Sequence, residues 1–305
     1  MARAVAKSYN LPMPELPEVE TVRRGLAPHM EGRVIRSVKL ARADLRFPFP
    51  PDFAARLTGA RIQSLSRRAK YLLALIQPVG APELLWLSHL GMSGRFQVTL
   101  ANKWAPDRLA NYKHGMADAV AQKHVHVTLD LDDGTCVTYA DPRRFGFMDL
   151  TPASTTSRFL ADLGPEPMGN EFNADYFMAA CADRQSPVKA VLLDQKTVAG
   201  LGNIYVCEAL FRAGISPRRK AANLGRVRIA RLIPAIRDVL GEAIAAGGSS
   251  LRDFADSDGK LGYFQHGFAV YDRAGAPCTT QGCNAKITRI VQSGRSSFYC
   301  PACQH

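Results

Sequence analysis

The chain has 305 residues, 47% of them hydrophobic, which is enough to bury a sizeable core in one or two domains. Lys and Arg number 39 against 27 Asp and Glu, so the net charge is +12. This balance favours a polyanionic partner, most often nucleic acid. No apolar run is long enough to span a membrane, and residues 1–12 lack the apolar segment of a secretory signal.

The N-terminal part is predicted to hold one helix followed by many short strands. The helix is expected to begin near Pro17–Glu18, because proline and acidic residues suit a first turn, and to end at Gly25 or Pro28. Short apolar or alternating runs follow, which is typical of a sandwich or barrel. These runs lie at 34–40, 61–66, 70–77, 83–91, 94–100, 124–134 and 136–144, and the segment 101–123 is predicted to be a long loop between two of them.

The residue pattern changes from about residue 152, where PASTTSR has the composition of a linker. Helical patterns follow at 173–183, 187–195, 203–213 and 223–246. A long glycine-bearing loop comes next, and short strands are predicted around the cysteines from 268 onwards.

The seven cysteines fall into two groups. Cys136, Cys181 and Cys207 lie in apolar segments and are predicted to be buried thiols. The other four form a C-x4-C-x16-C-x2-C pattern at Cys278, Cys283, Cys300 and Cys303. Two close pairs on either side of a short hairpin can bring four thiolates to one tetrahedral ion, and an all-cysteine set indicates structural zinc. The alternative is four thiols without a metal; either way, a reducing, intracellular location is expected.

The segment between the cysteine pairs carries Arg289 and Arg295 on a short ribbon that suits contact with phosphate, although a solvated hairpin face is the simpler interpretation. The turn AGLGN puts two glycines and Asn203 before a helix. Backbone N–H groups in such a turn can bind phosphate, and a tight turn between helices is the alternative.

Three further motifs are informative mainly in combination. RRAKYLL places Lys70 where a turn becomes an apolar strand, a position that a surface lysine would also occupy. DPRRFG sets Arg143, Arg144 and Phe145 in a turn, which suits phosphate contact with base stacking as well as an ordinary surface turn. HLGMSG places Met92 in a glycine-flanked turn.

Together these segments resemble the bacterial formamidopyrimidine-DNA glycosylases (Fpg) of the Fpg/Nei superfamily. The resemblance runs from about Met13 to His305 through MPELPEVET, RRAKYLL, HLGMSG, DPRRFG, LGPEP, AGLGNIY, SDGKLGYFQH and the four-cysteine tail, in the order of the family. It implies an α+β fold with DNA in the cleft between two domains. The implied parts are an extension at 1–13, an N-terminal β-sandwich with one long helix at 14–151, a linker at 152–164, a helix-two-turn-helix domain at 165–267 and a zinc-binding β-hairpin at 268–305.

The resemblance also implies the activity. Members of the family are bifunctional DNA glycosylase/AP lyases of base excision repair that remove oxidised purines, 8-oxoguanine and formamidopyrimidines. They do so through a Schiff base on an N-terminal proline, followed by β,δ-elimination. One structural zinc ion, double-stranded DNA containing oxidised purines or abasic sites, a monomeric state and a bacterial cytoplasmic location at the nucleoid are implied with it.

The functional residues of the family are carried over motif by motif. The implied catalytic residues are Pro14 as nucleophile, Glu15 as proton donor, Lys70 as proton donor in β-elimination and Arg295 in δ-elimination. The implied DNA-binding residues are His124, Arg143, Arg184, Lys189 and Asn203. Met92, Arg143 and Phe145 would fill the gap left by the flipped base, and the loop at about 255–267 would cover the everted purine.

Basic chemistry explains why the family uses a terminal amine. An α-amino group titrates near ~8 and a lysine side chain near ~10.4, so the terminal amine is neutral far more often at neutral pH. A secondary amine also gives an iminium directly, and this cation is an electron sink for eliminating both phosphates.

Two features depart from the pattern. The first cysteine pair is C-x4-C, where the family often has C-x2-C, although this spacing is still compatible with zinc. A peptide-bonded Pro14 is an amide without a nucleophilic lone pair. We therefore expect translation to begin at Met13, or residues 1–12 to be removed, so that the mature chain begins at Pro14.

Two other functions stay open from the sequence. A Nei-type enzyme would act on oxidised pyrimidines, but such enzymes typically begin Met-Pro-Glu-Gly-Pro, where this chain has Leu16. A non-catalytic DNA-binding protein would explain a blocked Pro14, but it would not need Pro14, Glu15 and Lys70 together.

Overall fold

The computed structural model describes residues 14–101, 122–249 and 264–305. The extension at 1–13, nearly all of the loop predicted at 101–123 and most of the loop at 255–267 lie outside these residues. Within the described ranges, no helix is long and apolar enough to cross a membrane.

Helix α1 spans Leu16–Met30 and starts where the sequence predicted. The prediction that it ends at Gly25 or Pro28 is wrong, because the helix runs past both. Met30 is fully buried against the sandwich. This burial compensates for the one intrahelical hydrogen bond that a proline cannot donate.

Eight strands of the described N-terminal residues form two four-stranded sheets, in the orders β1-β6-β7-β5 and β2-β3-β4-β8, with antiparallel neighbours. The strands are β1 (Ile35–Leu40), β2 (Arg61–Arg68), β3 (Tyr71–Gln77), β4 (Leu84–His89), β5 (Arg95–Thr99), β6 (Val125–Leu131), β7 (Cys136–Ala140) and β8 (Phe147–Pro152). The β-sandwich is confirmed, and seven of its strands match the predicted runs. Strand β8 and the short helix α2 (Phe53–Leu57) were not predicted individually.

The described part of the C-terminal domain contains four α-helices and a hairpin, close to the predicted positions. They are α3 (Ala174–Cys181), α4 (Val188–Leu193), α5 (Asn203–Arg212), α6 (Arg226–Ala245), β9 (Thr288–Gln292) and β10 (Arg295–Tyr299). One hydrophobic core joins the helices to the hairpin, and Phe298 of β10 belongs to it. Cys136, Cys181 and Cys207 are buried thiols, as predicted.

The start of α1 lies where the two domains meet. Leu16 belongs to the core of the helical domain, whereas Val19 and Val22 belong to the core of the sandwich. The Leu16 N–H also donates to the Gly200 carbonyl at 3.2 Å, in the turn before α5. The residues just before α1 are therefore held by both domains at once.

Candidate active site

Glu15, the residue before α1, is buried against the first turn of α5. Its Oε1 accepts a hydrogen bond of 3.0 Å from the Ile204 N–H. The preceding turn approaches so closely that a Cβ on Gly202 would lie 2.1 Å from the Glu15 Cδ. Sequence analysis offered this glycine turn as a phosphate site; in the structure, its helix N-terminus binds a carboxylate of the chain itself.

The pKa of Glu15 is raised to about 7, chiefly by burial and to a smaller extent by the neighbouring Glu18, although the charge of Lys70 and the N–H group of Ile204 oppose the shift. The Glu15 Oε2 is buried and has no hydrogen-bond partner among the described residues. A carboxyl group with this pKa is close to half protonated at neutral pH. It can therefore give a proton from a free oxygen.

Glu18 holds the backbone at the start of α1 and was not singled out from the sequence. Its Oε2 accepts from the Glu15 N–H at 2.9 Å, and Oε1 accepts from the Ser249 N–H at 2.8 Å and from the Tyr205 hydroxyl. Glu18 stands three residues after Glu15, the spacing of a capping box, which was the available sequence signal.

Lys70 lies beside this carboxyl group and is 7% exposed. Burial lowers its pKa and the charge of Arg295 lowers it further, whereas Glu15 raises it. A lysine of lowered pKa exchanges protons more readily near neutral pH than a free one. Lys70 is therefore no ordinary surface lysine.

The turn that carries Lys70 is held by Glu166 of the LGPEP motif. Glu166 Oε1 accepts from the Ala69 N–H at 2.5 Å, and its Oε2 pairs with Arg67 Nη1 at 2.9 Å. Ala69 has a φ of +54°, a strained backbone conformation for a residue with a Cβ. A carboxylate from the interdomain segment thus stabilises the turn that presents Lys70.

The hairpin that carries Arg295 is anchored to the helical domain. Lys189 is 1% exposed and donates to the Ser296 carbonyl at 2.9 Å and to the Ser297 Oγ at 2.6 Å. Asn203 Nδ2 donates to the same carbonyl at 2.9 Å. Arg295, the residue before Ser296, is exposed. The ammonium group of Lys189 therefore lies against the hairpin in this structure, and burial lowers its pKa.

The remaining predicted residues lie on turns at the surface. The Arg143 guanidinium stacks over the Phe145 ring at 5.0 Å, and Phe145 is 44% exposed, unusually high for a large aromatic residue. Met92 and His124 are partly buried. Arg184 is exposed and pairs loosely with Asp194, at 3.6 Å.

Two residues that sequence analysis did not use lie close to the predicted ones. His89, which opens HLGMSG, stacks on Phe147 with ring centroids 5.3 Å apart. Burial, followed by the charge of Lys70, lowers its pKa to about 4, so it is neutral. Tyr271 is buried, and burial raises the pKa of its hydroxyl.

The four clustered cysteines are positioned to bind one metal ion. Their Sγ atoms all lie within 4.8 Å of one another. The Sγ atoms of Cys278 and Cys303 are 3.8 Å apart, and those of Cys283 and Cys300 are 3.7 Å apart. All four are free thiols, so none of these contacts is a disulfide.

A buried acid of raised pKa beside a buried lysine, at the junction of two domains in a strongly basic chain, is the arrangement expected of an enzyme that processes nucleic acid. The comparisons with known proteins agree with this class and narrow it. Residues 13–148 match the family model of the formamidopyrimidine-DNA glycosylase N-terminal domain, and residues 163–255 match that of its H2TH domain.

Among curated proteins, the formamidopyrimidine-DNA glycosylase of Ruegeria pomeroyi is 56% identical over 96% of this chain and 100% of its own length. That of Paracoccus denitrificans is 54% identical over the same shares. Among solved structures, Fpg of Lactococcus lactis bound to abasic-site DNA has a TM-score of 0.80 at 33% identity, covering 96% of this chain and 100% of that one. MutM (Fpg) of Thermus thermophilus has a TM-score of 0.79 at 37% identity, covering 95% and 98%.

The chain belongs to the formamidopyrimidine-DNA glycosylase family of DNA-repair enzymes.

Proposed function

We propose that this chain is a bifunctional glycosylase and AP lyase that excises 8-oxoguanine and formamidopyrimidines from double-stranded DNA, and then cuts the abasic strand by β,δ-elimination. The observation that carries the proposal is the buried Glu15 carboxyl with a pKa of about 7, next to Lys70. The Ruegeria relative is a formamidopyrimidine-DNA glycosylase, and the Lactococcus Fpg structure is a complex with DNA that contains an abasic site.

The proposed nucleophile is the nitrogen of Pro14 in a form of the enzyme whose chain begins there. The family model begins at residue 13, and 96% of this chain covers 100% of the Ruegeria relative, which supports that start. A neutral secondary amine attacks C1′ of the damaged nucleotide, and the base departs with the electrons of the glycosidic bond. Protonation of the ring oxygen opens the sugar and leaves the iminium. Loss of the C2′ proton sends its electron pair toward the iminium and expels the 3′ phosphate, and loss of the C4′ proton then expels the 5′ phosphate.

Glu15 is proposed to donate the proton that opens the sugar ring, from the oxygen that has no protein partner. Lys70 is proposed to move the protons of β-elimination, and Arg295 to hold phosphate and assist δ-elimination. The charge of Arg295 affects the pKa of Lys70, which supports a shared site for these two residues.

DNA contacts are proposed at His124, Arg143, Arg184, Lys189 and Asn203. Met92, Arg143 and Phe145 are proposed to enter the gap left by the flipped nucleotide. The exposed Phe145 ring and the guanidinium stacked on it support stacking against bases. The proposed cover of the everted purine, at about 255–267, lies mostly outside the described residues.

The metal held by the cysteine cluster is proposed to be zinc. Zinc–sulfur bonds of about 2.3 Å in a tetrahedron put neighbouring sulfurs about 3.8 Å apart. The two measured Sγ distances, 3.7 and 3.8 Å, fit this cage. With four thiolates no ligand position is left for water, so the ion would stabilise the hairpin that carries Arg295 and take no part in the chemistry.

The decisive test is borohydride trapping on a duplex with 8-oxoguanine opposite cytosine. We expect a covalent adduct on a peptide that begins at Pro14. Tight duplex binding with no adduct, in a chain whose first residue is Ala2, would instead favour the non-catalytic DNA binder, because Pro14 would then be an amide. Excision of thymine glycol in preference to 8-oxoguanine would favour a Nei-type specificity.

A further inference from the structure

Asp141, at the end of β7, is a fully buried carboxylate outside the reaction centre. It is 0% exposed. Its Oδ2 accepts from the Gly146 N–H at 2.8 Å, and its Oδ1 accepts from the Ser93 Oγ at 2.5 Å. Gly146 lies in the turn at 141–146 and Ser93 lies in the turn at 90–94. The Asp141 side chain therefore joins the two turns.

Ser93 belongs to the turn at 90–94, which carries Met92. Its Oγ also accepts a hydrogen bond of 3.1 Å from the Arg143 N–H, which is 3.3 Å from the Asp141 Oδ1. A hydroxyl, a carboxylate and a backbone amide thus form a closed triangle. The triangle connects the turn at 90–94 to the turn at 141–146, which carries Arg143 and Phe145.

The backbones of the two turns also touch without room for side chains. A Cβ on Gly91 would lie 2.3 Å from the Gly146 nitrogen, and a Cβ on Gly146 would lie 1.9 Å from the Tyr139 hydroxyl. The Tyr139 hydroxyl in turn donates to Asp141 at 3.4 Å. Glycine at both positions permits this contact, and neither turn can shift alone without breaking bonds to Asp141.

Strand β6 and the residue before it hold Asp141 from the other side. The Asp141 N–H donates to the His124 carbonyl at 3.0 Å, and the Asp141 carbonyl pairs with the His126 Nε2 at 3.0 Å. Both the side chain and the backbone of Asp141 are therefore committed to local contacts. None of its oxygens is exposed to a ligand.

We propose that Asp141 is a positioning residue that locks the turns at 90–94 and 141–146 into one rigid wedge, so that Met92, Arg143 and Phe145 enter the DNA together. The inference rests on the gap-filling role proposed above for these three side chains. Asp141 itself touches no DNA, and it acts by keeping the three tips in one arrangement before DNA binds. The entropy of ordering two loops is thereby spent during folding rather than at binding.

Ser93→Ala tests the link, because it removes only the hydroxyl that bridges the turns. Asp141→Asn is the stronger variant, since an amide offers one acceptor oxygen where the carboxylate had two. The control is Asp130→Asn, which alters a partly exposed pairing of aspartate and serine in the same sheet, with Ser37 at 2.6 Å, far from the two turns.

The readout is the fluorescence of 2-aminopurine opposite a tetrahydrofuran abasic analogue, which rises when the wedge unstacks the duplex. In both variants we expect the fluorescence rise to be smaller than in the parent. We also expect the preference for the abasic duplex over an undamaged duplex to fall about tenfold, which corresponds to the loss of one charge-assisted hydrogen bond. Borohydride trapping on an abasic site in single-stranded DNA, which has no stack to open, should stay at the parent level.

The proposal is overturned if Ser93→Ala and a folded Asp141→Asn keep the full fluorescence rise and duplex preference. It is also overturned if single-stranded trapping falls in proportion, because the role would then be general stability. Should Asp141→Asn not fold, Ser93→Ala alone decides. If the parent chain itself traps nothing, the proposed lyase fails, while the fluorescence comparison still tests the wedge.

Discussion

The position of the Glu15 carboxyl group, with its unpartnered Oε2, depends on contacts with residues that are far away in the sequence. Its carboxyl group is aligned by the N–H of Ile204, 189 residues further along the chain. The resemblance pointed to Glu15, but burial explains why its pKa is raised. Glu166 was missed because its partner Ala69 is 97 residues away, and the bond from Ser249 to Glu18 spans 231 residues, whereas residue periodicity reports only local order.

Because the pKa of Glu15 is raised in the fold, the free energy of unfolding should decrease as pH rises. The ordinary pKa of a glutamate carboxyl is 4.5 and that of Glu15 in the fold is about 7, so between these pH values the folded state keeps a proton that the unfolded state releases. The contribution is fully present below pH 4.5 and is lost as pH rises through 7. The loss amounts to about 3 kcal/mol.

Urea unfolding of the parent and of Glu15→Gln at several pH values measures this effect. The variant, which cannot ionise, should become more stable relative to the parent by about 3 kcal/mol as pH rises through the window. Parallel pH profiles for the two proteins would contradict the prediction, and the variant should also lose base excision.

A side chain at position 202 is expected to displace the Glu15 carboxylate. In Gly202→Ala the new Cβ would meet the Glu15 Cδ at 2.1 Å, so the carboxylate must move away from the Ile204 N–H. We expect destabilisation of about 1–3 kcal/mol and loss of base excision by on the order of 100-fold.

Gly241→Ala is the matched control for this substitution. Gly241 lies inside α6, where a Cβ would meet nothing within 4 Å. Alanine there should leave excision unchanged and stabilise the helix by about 0.5–1 kcal/mol. Equal excision by the two variants would contradict the steric argument.

Among the secondary-structure elements, regular patterns were predictable and marginal ones were not. Strand alternation and helical periodicity located most elements to within a few residues. Helix α2 has only five residues, too few to show a period, and β8 follows DPRRFG without a distinct turn signal between them. The end of α1 was mispredicted because burial of Met30 outweighs the local effect of Pro28.

Because the β9–β10 hairpin joins the two cysteine pairs, we expect DNA binding to depend on a bound metal ion. Removing the metal with a mercurial reagent should release one equivalent of ion per chain. Binding to abasic duplex DNA should fall, because loss of the thiolate cage leaves the segment that carries Arg295 to its short strand pairing, its core contacts and the hydrogen bonds from Lys189 and Asn203. Atomic absorption and a gel-shift assay measure the two effects.

Cys136→Ala is the control for metal content, since Cys136 is buried in the sandwich and lies outside the cluster. It should keep the full equivalent of ion. A chain that contains no metal, or one that keeps its DNA affinity after losing it, would contradict the prediction.

For the whole molecule, the net charge of +12 predicts binding dominated by phosphate contacts. In Arg184→Ala, affinity for duplex DNA should fall, and the slope of log K against log salt should become shallower by about one. Arg36→Ala removes the same charge from the edge strand β1 and should change the slope less. Equal slopes in the two variants would place Arg184 outside the footprint.

The sequence motifs predicted the domain organisation of the whole molecule, including the order of the two domains and the C-terminal hairpin with its cysteine cluster. They did not reveal how the domains meet, because the contact at the start of α1 joins residues of two separate cores.

That junction has a consequence for dissection of the enzyme. A fragment ending near residue 152 would contain Pro14, Glu15 and Lys70, yet it would lack Ile204, which aligns Glu15, and Tyr205 and Ser249, which bind Glu18. Each half alone should be inert, and reassociation of two separately made halves should restore the reaction centre. The chain is thus suited to conversion into a split enzyme, whose activity reports that two fused partners have met.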